Sequence, residues 1–393
     1  MEAAAEGTTT IDPRLAARAE ERDLLTLGIE EEYLLVDAVE PRGVETVEAV
    51  LAEVPDDLRP SVQHEYLRSQ IEVASPPQLE LLGLYEAMTK LRTGLADAAE
   101  RAGSRLLAVG CGPAAGPNTR LVDKPRYHQM RERFGDLSPG QGSCGTHVHV
   151  SIPDPETGVR VLNHLRAWLP VLQAATANSP MSGGRDTGYA SWRSMMWERW
   201  PTVGPTPYLQ SHDHYLTLIA DLEASGAMLD EGMLYWYARL SANYPTVEIR
   251  MGDVTPTLDD AILLAALARG LVSTVLNDVR DGIDAPDVPH PLLMAAHWRA
   301  AKDGLEGLGL DMASREPRPA WRLLRQLIDY VRPELERHGD AELVTVLSDR
   351  LRERGTGAAR QRALLAKGVP VAGVVDWLAR TTRGETVSDE NLT

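Results

Sequence analysis

The chain has 393 residues, 43% of them hydrophobic and 25% charged, with a formal net charge of −17. That length gives one large domain or two ordinary ones with an ample core. The acidity argues against a general nucleic-acid or acidic-membrane binder, so an anionic ligand such as a nucleotide needs local cations, metal ions first among them.

Two cysteines, Cys111 and Cys144, make no disulfide framework and suit a reducing cytoplasm. The opening MEAAAEGTTT lacks a basic region and an apolar core, so no signal peptide is expected and the location expected is cytoplasmic. The stretch 261–276, AILLAALARGLVSTVL, is interrupted by Arg269 and too short to span a bilayer; it reads as a buried helix, with no membrane partner. Residues 1–22 and 381–393 read as mobile tails. With no repeat and no low-complexity linker, 23–380 is expected as a single catalytic domain, its motifs within 26–280 and a helical part over 286–380.

In chain order, alternating stretches predict strands at 26–36, 69–74, 105–110, 145–152 and 245–251. Helical periodicity marks 79–103, 160–178, 212–225 and 258–279, and nearly everything from 286 onward. The stretch 180–210, rich in Gly, Pro, Trp and Arg, has no clean period, and a long irregular segment inside an enzyme is usually functional. The strands alternate apolar and polar rather than running continuously apolar, which favours a mainly antiparallel sheet with helices on one face, an α+β fold.

The first strand, GIEEEYLLVD, raises a question of charge. Alternate side chains share a face, so Glu30 and Glu32 point the same way, roughly 6.6 Å apart. Unscreened, they repel by about 2.5 kcal/mol at an effective dielectric near 20. A solvated sheet edge tolerates that. The other strands weigh against it. Gln70 and Glu72 share a face in SQIEVASP, His147 and His149 in GTHVHVSI, and Glu248 and Arg250 in TVEIRMGD. Each opposes an apolar face. Four strands thus pool carboxylates, imidazoles and a guanidinium, which are metal ligands and phosphate clamps. Mg²⁺ suits the carboxylates, and Mn²⁺ accepts histidine more readily.

Other motifs fail on context. GQGSCG (140–145) matches GxGxxG but runs into a strand rather than a helix, so it reads as a turn. No GxxxxGK[ST] or GxSxG exists. His147 and His149 also suit a zinc hydrolase, and that reading stays open.

Taken together, GIEEEYLLVD, SQIEVASPP, CGTHVHVSI, ANSPMSGGRDTGYASWRSMMWERWPTVGP and YPTVEIRMGDVTPTLDDA resemble the type 2 glutamate–cysteine ligase family, the bacterial carboxylate–amine ligases. The resemblance runs in order over roughly 26–280. It implies a glutamine-synthetase-like catalytic domain: a curved antiparallel sheet forming a funnel over ATP and two or three divalent metals, Mg²⁺ or Mn²⁺. It implies ATP-dependent phosphorylation of the γ-carboxylate of glutamate and capture by an amine, cysteine or another, acting on small molecules as a homo-oligomer. By position, Glu30, Glu32, Glu72 and Glu248 match metal carboxylates, Glu65 falls near another, and His147 matches a metal-proximal histidine. Arg250 and Arg193 match phosphate- or substrate-binding arginines, with His149 and Gln70 as further nucleotide contacts. Arg193 has a structural alternative, stacking among Trp192, Trp197 and Trp200. The 180–210 segment reads as a lid against hydrolysis of an acyl phosphate. The rivals are a metal-dependent amide hydrolase and a non-catalytic ATP or glutamate sensor.

Overall fold

The computed structural model describes residues 12–22, 24–114, 120–137 and 142–387. Seven strands form its main sheet: β1 (Leu27–Asp37), β2 (Val62–His64), β3 (Gln70–Ala74), β4 (Ser104–Leu107), β5 (Gly145–Ser151), β6 (Ala238–Leu240) and β7 (Thr246–Asp253). Their order is β2-β3-β1-β5-β7-β6, every pairing is antiparallel, and β4 pairs with the end of β1. The sheet is open, with β2 and β6 as edges, and the expected α+β class is the one found. The five predicted strands all form; the three-residue strands β2 and β6 are too short to show a period.

The helices that matter for the site are α1 (Leu81–Arg101), α2 (Pro155–Leu165), α3 (Leu169–Ala175), α4 (Trp192–Trp197), α5 (Leu258–Arg280), α6 (His290–Asp303) and α7 (Ala320–His338). The single helix expected over 160–178 is two, α2 and α3, because Pro170 sits in the first turn of a new helix. The region after 286 is helical as expected, apart from a hairpin pairing Leu308–Asp311 with Glu316–Pro319. Of the two expected tails, 1–11 and 388–393 lie outside the described residues, and Pro13–Arg22 forms a helix. Two residues of the GQGSCG turn, 140 and 141, also lie outside them.

The apolar face of the sheet packs on α1 and α5, and α7 backs α5. The helix expected over 258–279 is α5, 23 residues long and, among the described residues, the one helix long and apolar enough to cross a bilayer. It is nevertheless a core helix, since 83% of its apolar window is buried in the fold. Arg269, fully buried within it, donates to the carbonyl of Leu79 and pairs with Asp340, so the charge that interrupts the apolar run is compensated.

Glu31 is the exception on the apolar face. It is fully buried beside Thr146, Ile71 and Val73 on the neighbouring strands. Arg92 of α1 donates Nε to Glu31 Oε2 at 2.8 Å and Nη2 to Oε1 at 2.5 Å, and the Tyr33 hydroxyl donates to Oε2 at 2.6 Å. Arg92 also donates to the carbonyls of Thr255 and Pro256, just past β7. One guanidinium thereby ties α1 to β1 and to the segment after β7. Arg92→Leu strands the buried Glu31 charge and should cost about 3–5 kcal/mol in urea unfolding. Adding Glu31→Leu should restore part of that loss. A single substitution that leaves the midpoint unchanged would show that the pair carries no structural weight.

Candidate active site

Strand register places the polar residues side by side. Glu30 lies opposite His147 across β1–β5, Glu32 opposite Glu72 across β1–β3, and His149 opposite Glu248 across β5–β7. The β5–β7 ladder shifts register between Thr146 and Val148, as at a bulge, and such shifts re-aim side chains. His147 consequently reaches three carboxylates: Nδ1 is 3.3 Å from Glu30 and 3.8 Å from Glu248, and Nε2 is 3.7 Å from Glu32. Glu30, His147 and Glu248 each offer a ligand atom within 4.8 Å of the others.

These groups open into a cleft of about 290 Å³, lined by Glu30, Glu32, Glu65, Glu72, His147 and Glu248, with Arg193, Arg250 and Gln70 on the same walls. A larger cavity of about 740 Å³ lies elsewhere, faced by Arg350, Arg354, Arg360 and Arg383. Each of those arginines already pairs with Asp259, Asp260, or Asp97 and Glu100, and none of the site carboxylates reaches that cavity. Size therefore does not decide the site; the donor set does.

The cleft handles its negative charge in two ways. Burial would raise Glu30, but the charge on His149 and the hydrogen bonds from His147 and His149 outweigh it and hold Glu30 well below the ordinary range. Burial of Glu248 is likewise outweighed, by Arg239 and Arg250, and its carboxyl is pulled down. Arg239 Nε donates to Glu248 Oε2 at 2.7 Å, and Arg250 Nη1 lies 3.2 Å from Oε1. Among the described residues, no arginine forms an ion pair with Glu32, Glu65 or Glu72, and burial prevails. Burial, and then the Glu65 charge, pushes Glu32 up to about 8. Burial and the surrounding carboxylates put Glu72 well above the usual range, and burial raises Glu65. His147, desolvated and facing Arg250, falls to about 4 and is a neutral imidazole at pH 7. Burial lowers His149, but the Glu30 charge more than compensates and its pKa rises.

The donor set fits divalent cations. Carboxylates whose pKa burial raises, beside a neutral imidazole, suit a cation that competes with protons for the same oxygens. Among the described residues, His147 Nε2, Arg193 Nε and Arg250 Nε are buried with no hydrogen-bond partner. Buried polar atoms of this kind ask for one, and anionic oxygens or a metal would supply it.

Not every expected residue sits alike. His149 lies off the cleft wall, with Nδ1 2.9 Å from Thr246 Oγ1 and Nε2 3.4 Å from Glu30. Gln70 lines the cleft, but its amide donates to the Ser143 carbonyl at 2.8 Å. Glu32 accepts the Gly145 N–H at 2.7 Å, and a Cβ on Gly145 would stand 2.4 Å from Arg193 Nη2, so that position admits only glycine without displacing the arginine. Arg193 stacks on Trp197 at 4.8 Å, and Arg250 lies 5.6 Å from the same ring, so the stacking alternative and the cleft position both hold. Within the 180–210 segment, Ala190, Ser191, Arg193 and Ser194 are buried, and Arg193, Trp197 and Trp200 line the cleft as part of its wall.

Sequence reading missed Arg239, whose three-residue strand shows no period, and Tyr66, Tyr127 and Tyr235, aromatic cleft walls contributed from outside the motif strands. It also missed Arg126, held by Asp230 at 2.7 and 2.8 Å.

The family model for glutamate–cysteine ligase family 2 matches residues 26–391. A Salinispora arenicola protein named "Putative glutamate--cysteine ligase 2" is 49% identical over 360 residues, covering 91% of this chain and 95% of its own. Among solved structures, a glutamate–cysteine ligase from Francisella tularensis in complex with AMP superposes with a TM-score of 0.66 at 13% identity, covering 92% of this chain and 89% of that one. A bifunctional glutathione synthetase from Pasteurella multocida gives 0.67 at 15%, covering 94% of this chain but 54% of that longer one. At such identities these two speak for the fold, which is the one built above from strand register. The chain belongs to glutamate–cysteine ligase family 2, a family of ATP-dependent carboxylate–amine ligases.

Proposed function

We propose that the protein phosphorylates the γ-carboxylate of glutamate with ATP and joins the activated acyl group to an amine. The carrying observation is one cleft in which Glu30, Glu32, Glu72, His147 and Glu248 stand beside Arg193 and Arg250. Residues 23–380 act as one catalytic domain in a cytoplasmic homo-oligomer. Glu30, His147 and Glu248 would hold one divalent cation, and Glu32, Glu65 and Glu72 one or two more. When bound, such ions neutralise phosphate charge and draw the triphosphate and acyl oxygens together.

A glutamate carboxylate oxygen attacks the γ-phosphorus and ADP leaves. The amine nitrogen then attacks the acyl carbon, phosphate leaves, and the nitrogen sheds a proton. Arg250 and Arg193 supply unsatisfied donors to the oxygens that gain charge. Arg239 keeps Glu248 ionised, and the Gly145 N–H fixes Glu32. Trp197, Trp200 and Tyr235 wall the cleft against water, to which an acyl phosphate is vulnerable. No nucleophilic side chain is called for.

ADP release from ATP·Mg²⁺ should require glutamate and rise with one member of an amine panel led by cysteine. Glu30→Gln, Glu72→Gln and Arg250→Ala should each abolish that turnover in folded protein. Amide hydrolysis without nucleotide would point to the hydrolase, and ATP binding without turnover to the sensor.

Cation binding should also release protons. Between the ordinary carboxylate range and about pH 8, metal-free folded protein keeps a proton on Glu32 that the unfolded chain has lost. Its stability therefore falls as pH rises through that window, and Mg²⁺ offsets the fall by replacing the proton. Affinity for Mg²⁺ should climb from pH 6 to 8, and the calorimetric heat at pH 7 should scale with buffer ionisation enthalpy. Heat identical in buffers of very different ionisation enthalpy would rule out the protonated cluster.

A further inference from the structure

We propose that Asp253 is a positioning residue that sets Arg193 in the cleft, acting through Ser179 and Ser191. The inference rests on reading Arg193 as a substrate- or phosphate-binding group. Asp253 closes β7, past Glu248 and Arg250, and is 1% exposed. Its Oδ2 accepts from the backbone N–H of Asn178 at 2.8 Å and from Ser179 Oγ at 2.7 Å, and its Oδ1 accepts from Ser191 Oγ at 2.7 Å. The carboxylate thus joins the end of a cleft strand to both ends of the 178–194 segment.

Proton counting gives the network a direction. Ser179 spends its only proton on Asp253, so its oxygen is left to accept the Arg193 N–H at 3.0 Å. Ser191 does the same, so in its 2.8 Å contact with Ser194 the donor must be Ser194. Ser194 Oγ in turn accepts from Gln173 Nε2 at 2.9 Å, and Gln173 Oε1 accepts from His297 Nδ1 at 2.5 Å. All these donors run toward Asp253. A chain of that sense requires an acceptor-only terminus, which a carboxylate is and an amide is not. Gly110 packs against the hub from behind, where a Cβ would stand 2.6 Å from Asp253 Cγ and 2.9 Å from Ser179 Oγ.

The output of the network is the start of α4. Ser191 caps it, accepting from the Ser194 N–H, and Ser179 holds the Arg193 backbone. From that anchor the Arg193 side chain passes Gly145, donates to the Met251 carbonyl at 3.3 Å and stacks on Trp197. Arg193 lines the cleft, whereas Asp253, Ser179 and Ser191 do not. Their effect on turnover is routed through the arginine. A misplacement of about 1 Å at a reacting group is worth up to roughly 100-fold in rate, so loss of the anchor belongs in kcat.

The test uses Asp253→Asn and Ser179→Ala, the second removing the link to Arg193 while leaving the carboxylate. Each is measured for ADP release in the wild-type and Arg193→Lys backgrounds, with hydrogen exchange of the peptide 190–197. The expectation is a roughly 10- to 100-fold loss of kcat in the first background and under about 2-fold in the second, because the partner is already lost. Exchange over 190–197 should quicken while that of β1 stays put. Equal losses in the two backgrounds, or unchanged exchange and kcat, would overturn the assignment. If Asp253→Asn does not fold, Ser179→Ala decides alone. A wild type that never makes ADP would instead overturn the ligase reading, and the exchange measurement would still decide the positioning.

Discussion

Like charges crowded on one sheet face are the constraint around which this fold is organised. Glu30, Glu32, Glu65, Glu72 and Glu248 share a cleft in a chain of net charge −17. Two of them, Glu30 and Glu248, are ionised by protein cations close at hand, the histidines and Arg239 with Arg250. Burial raises the other three instead, Glu32 to about 8. The cleft thus leaves part of its acidity without a protein cation, which is the acidity that the proposed divalent cations would compensate. Neutralising all five with arginines would remove the repulsion and also the affinity for cations, so the incompleteness of the pairing is what a cation site needs.

The same strand shows how a sheet keeps such a face in place. Glu30 and Glu32 point to the cleft, while Glu31 between them points into the core and meets Arg92. A one-residue slip of β1 would place Glu31 in the cleft and drive Glu30 and Glu32 into an apolar layer. Arg92 opposes that slip because its two-pronged contact fits one register only, and because its remaining donors hold the chain after β7. Three adjacent glutamates therefore have two jobs. The outer two line the cleft, and the inner one locks the register that puts them there.

Alternation made the polar face legible, since period-two patterning is local and survives in one sequence. It could not foresee Glu31, where the pattern calls for an apolar residue and the compensating Arg92 lies 61 positions away on a helix. Arg239 escaped for a related reason: β6 has three residues, and only its pairing with β7 puts the guanidinium against Glu248. Helix α5 was read as a buried helix from its composition, and it is one, although it runs several residues beyond the apolar stretch at each end. The irregular 180–210 segment read as a lid because it has no clean period and an acyl phosphate needs shielding from water. Its buried serines become intelligible only when Asp253 supplies their acceptor, a long-range contact that leaves no periodic trace.

The two halves of the proposed reaction draw on different parts of the molecule. Charge neutralisation falls to β1, β3, β5 and β7, whose side chains are fixed by hydrogen-bonded register and tolerate almost no displacement. The aromatic walls stand outside that face: Tyr66 and Tyr127, which meet edge to face at 5.1 Å, and Trp200 with Tyr235. These groups come from loops and short helices anchored to the sheet at a few points. A wall residue can change size or polarity without disturbing a cation ligand, because the two share no backbone ladder. The carboxylate and imidazole face is thereby constrained by the sheet while the aromatic walls are free to vary around it, so the strands speak for the proposed activation chemistry and an assay must identify the acceptor.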